Sequence, residues 1–348
     1  MKNTNVVTFG EVLLRLTPPG YLKFSQSNQL CYTFGGSETN VAVSLARFGM
    51  QSRLVTRMPD NEIAEACIGD LRRHGVVTDN IIFGGERLGL YYYENTASMR
   101  AAKIVYDRNN SSFCTLQRGM LDWRRIFDGA GWFHWSGIAP SLSADAADAT
   151  MEAIDIAAEM GLTISSDLNF RKNLWRYGKR AEDVMPALAR KCHVMFGTEG
   201  EYQKAFGIEP VPFALTSPDD TFDADKHLAF CKAVMAKAPQ CRKMFVALRN
   251  VIDAKHHILM GLLYTADGRY YVSKIHYIQH VVDCVGVGDA MAAGIIYGLT
   301  HFDDDRLALE FCVAAGTLKN TIEGDYNLVK PDEVLALAGG TETGNVSR

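Results

Sequence analysis

Missing from this chain is any basic excess: 36 Lys and Arg stand against 40 Asp and Glu, a formal net charge of -4 over 348 residues. A surface that tracks a nucleic-acid backbone needs the opposite balance, so the expected partners do not include nucleic acid. No apolar run reaches the roughly 18 residues of a membrane span. The opening MKNTNVVTFGEVLLRL lacks the uninterrupted apolar stretch and small-residue cleavage site of a signal peptide. No C-x-x-C pair occurs among the eight cysteines, most of which sit in apolar segments. This composition excludes the usual metal-thiolate patterns and points to free thiols in a cytoplasmic protein with no membrane contact. Internal repeats, low-complexity tracts and charge blocks are absent too. With 47% hydrophobic residues, the chain can bury a sizeable core, which excludes wholesale disorder.

What the chain does contain is alternation. VVTF precedes a helix expected over 38–48, RLVTR one over 61–74, and GWFHWS one over 143–160, after which LTISSDLNF, KCHVMF and KMFVAL continue the series. Short β-rich runs separated by amphipathic helices imply a mainly parallel sheet covered on both faces. No linker divides the chain, so 1–348 reads as a single α/β domain. Two stretches, about 11–34 and 87–114, hold strand-like pieces (LLRL, LYYYE, AKIVYD) without intervening helices. They suggest a small antiparallel sheet beside a cleft, or an ordinary hairpin insertion.

The chemistry concentrates in HYIQHVVDCVGVGDAMAAGIIYGL, residues 276–299. A strand-like run ends at Asp283, a glycine turn follows, and a small-residue helix starts near Asp289. Gly286 and Gly288 allow successive N–H groups to converge on one point, and a helix N-terminus adds partial positive charge there. Asp289 stands at that helix start as a candidate base beside an anion site; the ordinary alternative is an aspartate that only stabilises the helix dipole. The string G-x-x-x-x-G-K-[ST] is absent, which excludes a Walker-type loop. A dinucleotide fingerprint fails as well. Met291 replaces its third glycine, and no second strand ending in an acidic residue follows.

With DCVGVGD near the C-terminus and FGGSETNVAVSLARFG near the N-terminus, the chain resembles the ribokinase (PfkB-type) carbohydrate kinases over nearly its whole length. The resemblance implies a ribokinase-like fold with a small β-sheet lid, ATP and Mg2+ as cofactors, and Asp289 as the catalytic base. It also implies an anion hole from the backbone of Gly286, Val287 and Gly288. Val287 stands where the family usually has alanine. Gly35, Gly36 and Asn40 match the family's N-terminal sugar-site signature.

Within the family the chain looks most like the 2-keto-3-deoxygluconate kinases, whose ligand needs its carboxylate and hydroxyls held. Guanidinium and tyrosine hydroxyl groups suit that task. The matching positions are Tyr91, Tyr106, Arg108, Asn169, Arg171 and Asp325. At most alternate members of Tyr91–Tyr93 face a cleft, and Arg171 begins a helix-like segment where a cation is unfavourable unless kept for an anion. Toward the nucleotide, the resemblance implies Asn169, Thr198, Glu201, Arg249 and Asn320. Thr198 replaces the usual asparagine of N-x-x-E, and no residue is implied as a dedicated metal ligand.

The implied reaction is ATP-dependent phosphorylation of a sugar acid, 2-keto-3-deoxygluconate to its 6-phosphate. A kinase for a neutral sugar or nucleoside (fructose, ribose, adenosine) on the same fold stays open. So does a non-catalytic sugar-binding regulator. Sugar stereochemistry is not legible in the letters. An unpaired edge of the small sheet would favour a homo-oligomer.

Overall fold

The computed structural model describes residues 4–340. Its strands in chain order are β1 (Val6–Phe9), β2 (Leu13–Thr17), β3 (Cys31–Gly35), β4 (Ser52–Met58), β5 (Ile81–Phe83), β6 (Gly89–Glu94), β7 (Lys103–Asp107), β8 (Trp132–Ser136), β9 (Thr163–Asp167), β10 (Val194–Gly197), β11 (Lys243–Val251), β12 (His257–Thr265), β13 (Tyr270–Val272) and β14 (His276–Ile278).

The large sheet runs β13-β12-β11-β10-β9-β8-β1-β4-β5, with β14 beside β12. From β11 to β5 every pairing is parallel. The far edge turns antiparallel where β12 pairs β11 from Lys243↔Thr265 to Val251↔His257. Its strands read as near-continuous apolar runs because helices cover both faces. On one face, Ala146, Ala149, Ala153, Ile154 and Ala157 of the helix Ala144–Glu159 pack in a cluster with Phe9, Trp123, Phe133 and Trp135. On the other, Val41 and Leu45 of the helix Ser37–Arg47 share a cluster with Ile295, Phe311 and Phe245.

Helix starts follow local capping chemistry. Asn61 accepts from the Ala64 N–H (3.1 Å) and Ser143 from that of Ala146 (3.0 Å), so those helices begin at Glu62 and Ala144. The small-residue helix Val287–His301 packs against a neighbouring helix as well as toward the sheet. A Cβ on Gly294 would lie 2.8 Å from Cys312 Cα, and one on Gly298 2.7 Å from Ala308 Cα. Both contacts are on the helix Asp305–Lys319.

The second sheet has the order β3-β2-β6-β7. It corrects the antiparallel expectation, since β2 and β6 run parallel, Leu13↔Gly89 to Leu16↔Tyr92. Between them the chain passes through β4, β5 and two helices, and such a crossover returns a strand in the same direction. Only the closer pairs β2–β3 and β6–β7 are antiparallel. The cysteines are free thiols, five of them buried. Among the described residues no helix is long and apolar enough to cross a membrane.

Candidate active site

The parallel strands deliver their C-terminal ends to one edge, where a ligand crevice is expected in such sheets. Glu11 follows β1, Asp167 ends β9, Asn169 and Arg171 come next, Thr198 follows β10, and Arg249 lies late on β11. The small sheet stands opposite with Tyr91, Tyr93, Ile104 and Tyr106. A cleft of about 560 Å³ lies between them.

At its centre is Asp289, in the first turn of the helix Val287–His301 and 7% exposed. Its two oxygens accept from Ser37 Oγ (2.8 Å) and Asn40 Nδ2 (2.7 Å). Asn169 Nδ2 donates in turn to Ser37 Oγ at 2.8 Å. Burial pushes the Asp289 pKa up to about 6, and the Asn40 and Ser37 bonds hold it from rising further. A carboxylate so placed is mostly ionised at neutral pH yet close enough to its pKa to accept a proton.

The glycine turn gives this aspartate its neighbour. Gly286 caps the helix in the left-handed region (φ 81°). A Cβ there would lie 2.1 Å from the Asp325 carbonyl oxygen, so only glycine fits. The first intrahelical bond runs from Ala290 N to Gly286 O (2.8 Å). The N–H groups of Val287, Gly288 and Asp289 belong to the turn that a helix leaves without internal partners. Three such donors beside a carboxylate can bind an anion while the carboxylate takes a proton from its attacker.

Beneath the turn lies an ionic cluster. Arg15 of β2 bonds Asp283 (2.7 Å) and Asp325 (3.0 Å), and its guanidinium lies 4.2 Å from the Tyr93 ring centroid. Tyr91 Oη donates to the Asp325 carboxylate at 2.6 Å. Asp325 thus lines the cleft, but its oxygens hold Tyr91 and Arg15. Gly35 packs behind it, where a Cβ would meet Asp325 Oδ2 at 2.1 Å. Alternation along β6 sends Tyr91 and Tyr93 to the cleft and Tyr92 to the other face against Phe24.

The two arginines differ. Arg108 is 6% exposed and paired with Glu11, its Nε donating at 2.8 Å. Arg171 has a side chain 48% exposed, a loose approach to Glu201 at 3.7 Å and a bond from its guanidinium to the neighbouring Phe170 carbonyl at 3.2 Å. The expected helix at Arg171 is absent. The chain turns at 172–174 without forming one, with Leu174 N bonding Arg171 O, so no helix dipole opposes this cation. Both arginines line the cleft, as do Gly36, Asn40, Tyr106, Asn169, Thr198, Glu201 and Arg249.

Thr198 caps the helix Glu199–Phe206, its Oγ1 donating to Glu201 Oε2 at 3.0 Å. Asn320 stands apart from the cleft lining. It is 1% exposed, its Nδ2 donates to Gly316 O (2.9 Å), and its carbonyl accepts from Val282 N (2.7 Å).

Several residues escaped the sequence reading. Ser37 sits inside the quoted GGSETN string but is one hydroxyl among many. Asp167 ends β9, its carboxyl held well above the usual range by burial and then by the charges of Glu201 and Asp289. Glu38, also buried, accepts from Ser136 Oγ (2.6 Å) and N (3.1 Å), and burial raises its pKa to about 7. The partnership of Arg15 with Asp283 spans 268 positions, and nothing local announces it.

A parallel sheet with a ligand edge, a buried carboxylate and an anion-binding turn define a group-transfer enzyme acting on a hydroxyl and an anionic donor. The sequence pattern of the pfkB family carbohydrate kinases matches residues 3–233 and 261–331, and the chain belongs to that family. It is a carbohydrate kinase. The crystal structure of a 2-dehydro-3-deoxygluconokinase from Thermotoga maritima is 36% identical, with a TM-score of 0.88 over 97% of this chain and 99% of that one. The 2-dehydro-3-deoxygalactonokinase of Haloferax volcanii is 28% identical over 97% of this chain and 98% of its own length. The 2-dehydro-3-deoxygluconokinase of Bacillus subtilis is 25% identical over 95% and 94%.

Proposed function

We propose that the chain phosphorylates a 2-keto-3-deoxy sugar acid at its terminal hydroxyl, using ATP, with 2-keto-3-deoxygluconate the first candidate. The observation that carries the reading is Asp289, tied by Ser37 and Asn40 beside the 286–288 turn and sharing one cleft with two arginines. The names of the Thermotoga, Haloferax and Bacillus relatives support the same substrate class.

In this reading Asp289 takes the proton of the attacking hydroxyl, and the N–H groups of Val287, Gly288 and Asp289 receive the charge of the transferring phosphoryl group. Gly36, Tyr106, Arg108 and Arg171 hold the sugar acid, while Arg249, Thr198 and Glu201 line the nucleotide side. Arg171, with no carboxylate among the described residues closer than Glu201 at 3.7 Å, meets the substrate carboxylate. Arg108 is half-neutralised by Glu11 and orients hydroxyl oxygens and the carboxylate edge. Closure of the small sheet would exclude water as a competing acceptor.

Magnesium fits the acidic wall. Asp167 and Glu201 are carboxylates that both line the cleft, and the Asp167 carboxyl is held well above its ordinary range by burial and then by the charge of Glu201. This ion usually takes one or two carboxylates plus substrate phosphates. Bound there, it would neutralise nucleotide phosphate charge. The free buried thiols fit a cytoplasmic location. The exposed edge strand β7, with Ile104 and Val105, favours cover by a second copy.

An ADP-release assay over a panel of sugar acids and neutral sugars tests the reading. The expected result is turnover with keto-deoxy acids well above that with fructose, ribose or adenosine. Preference for a neutral sugar would move the reading to that class, and no turnover with any acceptor would leave a sugar-binding regulator.

A further inference from the structure

Lys319 is the last residue of the helix Asp305–Lys319, and none of its surface reaches solvent. Its side chain ends directly under the anion-binding turn. Nζ donates to the carbonyl oxygen of Ile322 at 2.9 Å and reaches that of Asp283 at 3.4 Å. Cε lies 3.4 Å from where a Cβ on Gly286 would stand.

The two carbonyls belong to different segments, one leading into the turn and one leaving the helix. Hydrogen bonds already stitch these segments, from Val282 N to the Asn320 carbonyl (2.7 Å) and from Gly324 N to the Asp283 side-chain Oδ2 (3.1 Å). The ammonium therefore sits in a cage of main-chain oxygen, with Arg15, Asp283 and Asp325 completing two cations against two carboxylates. Burial lowers the Lys319 pKa while Asp283 and Asp325 pull it back up.

A buried ammonium is costly unless it is paired and bonded, and a fully apolar side chain could fill the same space. What the ammonium adds is a tether of fixed charge. It pins the carbonyl of Asp283, the residue that leads into the turn, and so fixes where the turn begins. It also cancels the field of two carboxylates that would otherwise oppose an anion a few ångströms above.

We propose that Lys319 is a positioning residue for the anion-binding turn, its ammonium acting as a built-in monovalent cation held by the carbonyls of Asp283 and Ile322. The inference rests on reading the 286–288 turn as the phosphoryl site. It implies that the lysine serves transition-state charge more than substrate affinity.

The test compares the wild-type chain with Lys319→Ala and Lys319→Met under turnover, with and without ammonium chloride, and with tetramethylammonium chloride at equal ionic strength. Hydrogen exchange of the 281–289 amides is followed on the same samples. The expected result is a loss of about 10-fold or more in kcat, the scale of an anion-site donor, with a much smaller change in KM. Ammonium, small enough for the vacated cage, restores part of the loss and of the exchange protection in Lys319→Ala, but not in Lys319→Met, where the side chain still fills the space.

Wild-type turnover should not respond to ammonium, because the cage is occupied. This arm needs no variant to fold. Strong ammonium activation of the wild type would overturn the proposal. So would a Lys319→Ala protein with unchanged kcat and unchanged exchange. If Asp289→Asn keeps its activity while Lys319→Ala loses it, the base assignment fails and the tether stands.

Discussion

The two ends of the cleft are built to different standards. At the Asp289 end the side chains are tied together: two donors on the buried carboxylate, a third side chain behind them, a turn with no room for a Cβ at Gly286, and a charge cluster beneath. At the other end Thr198, Arg171 and Arg249 stand exposed, Glu201 is half-buried, and the Arg171–Glu201 approach is loose. The chemical end pays for its order in advance, whereas the nucleotide end is left for its ligand to complete. Preorganised dipoles contribute most where charge develops during reaction, and flexible cations suffice where a ligand brings its own charge.

Breaking the ordered end should have the largest effect. Asp289→Asn is expected to lower turnover by about 10²–10⁴-fold, the worth of a general base, measured by ADP release. The same change should stabilise the fold. A carboxyl held above its unfolded pKa costs stability that appears as pH rises past the unfolded value and is complete above about 6. The variant should therefore gain about 1–3 kcal/mol at neutral pH and nothing near pH 3, read by denaturant melts at both.

The arginines sharpen the contrast between buried and free cations. Arg108→Ala strands Glu11 in the interior, so a loss of about 3–5 kcal/mol in stability should accompany any loss of activity. Arg171→Ala should cost about 10- to 100-fold in kcat/KM with a sugar acid, the worth of a charged hydrogen bond, while the melting temperature holds. Equal effects on a neutral ketose would break the link to a substrate carboxylate. Smallest of all, Thr198→Asn keeps a capping side chain and should change KM for ATP by about 2- to 10-fold with stability unaltered.

Legibility in the sequence followed the same division. The fold could be read because β-rich runs and helix-length segments alternate, and because DCVGVGD places a flexible turn, an anion site and Asp289 within seven letters. Strand alternation alone puts Tyr92 on the opposite face from Tyr91 and Tyr93, but does not say which face meets the cleft. What stayed hidden depends on contacts between distant segments. Arg15 on β2 meets Asp283 and Asp325 far along the chain, and Lys319 finishes a helix whose letters show only a basic last residue. The parallel β2–β6 pairing was hidden for the same reason, since direction depends on the crossover between the strands and not on either one. Arg171 was misplaced on a helix because its neighbours are helix-compatible, while the chain there only turns.

The most direct measurement is the pH dependence of kcat/KM in the wild type beside Asn40→Ala and Ser37→Ala. ATP and sugar titrate identically in all three, so only groups of the protein can separate the curves. An acidic limb near pH 6 in the wild type, moved to higher pH in both variants because ionised Asp289 loses a donor, is the predicted result. Superimposed acidic limbs would contradict it, since the titrating group would then not be the carboxylate that Ser37 and Asn40 hold.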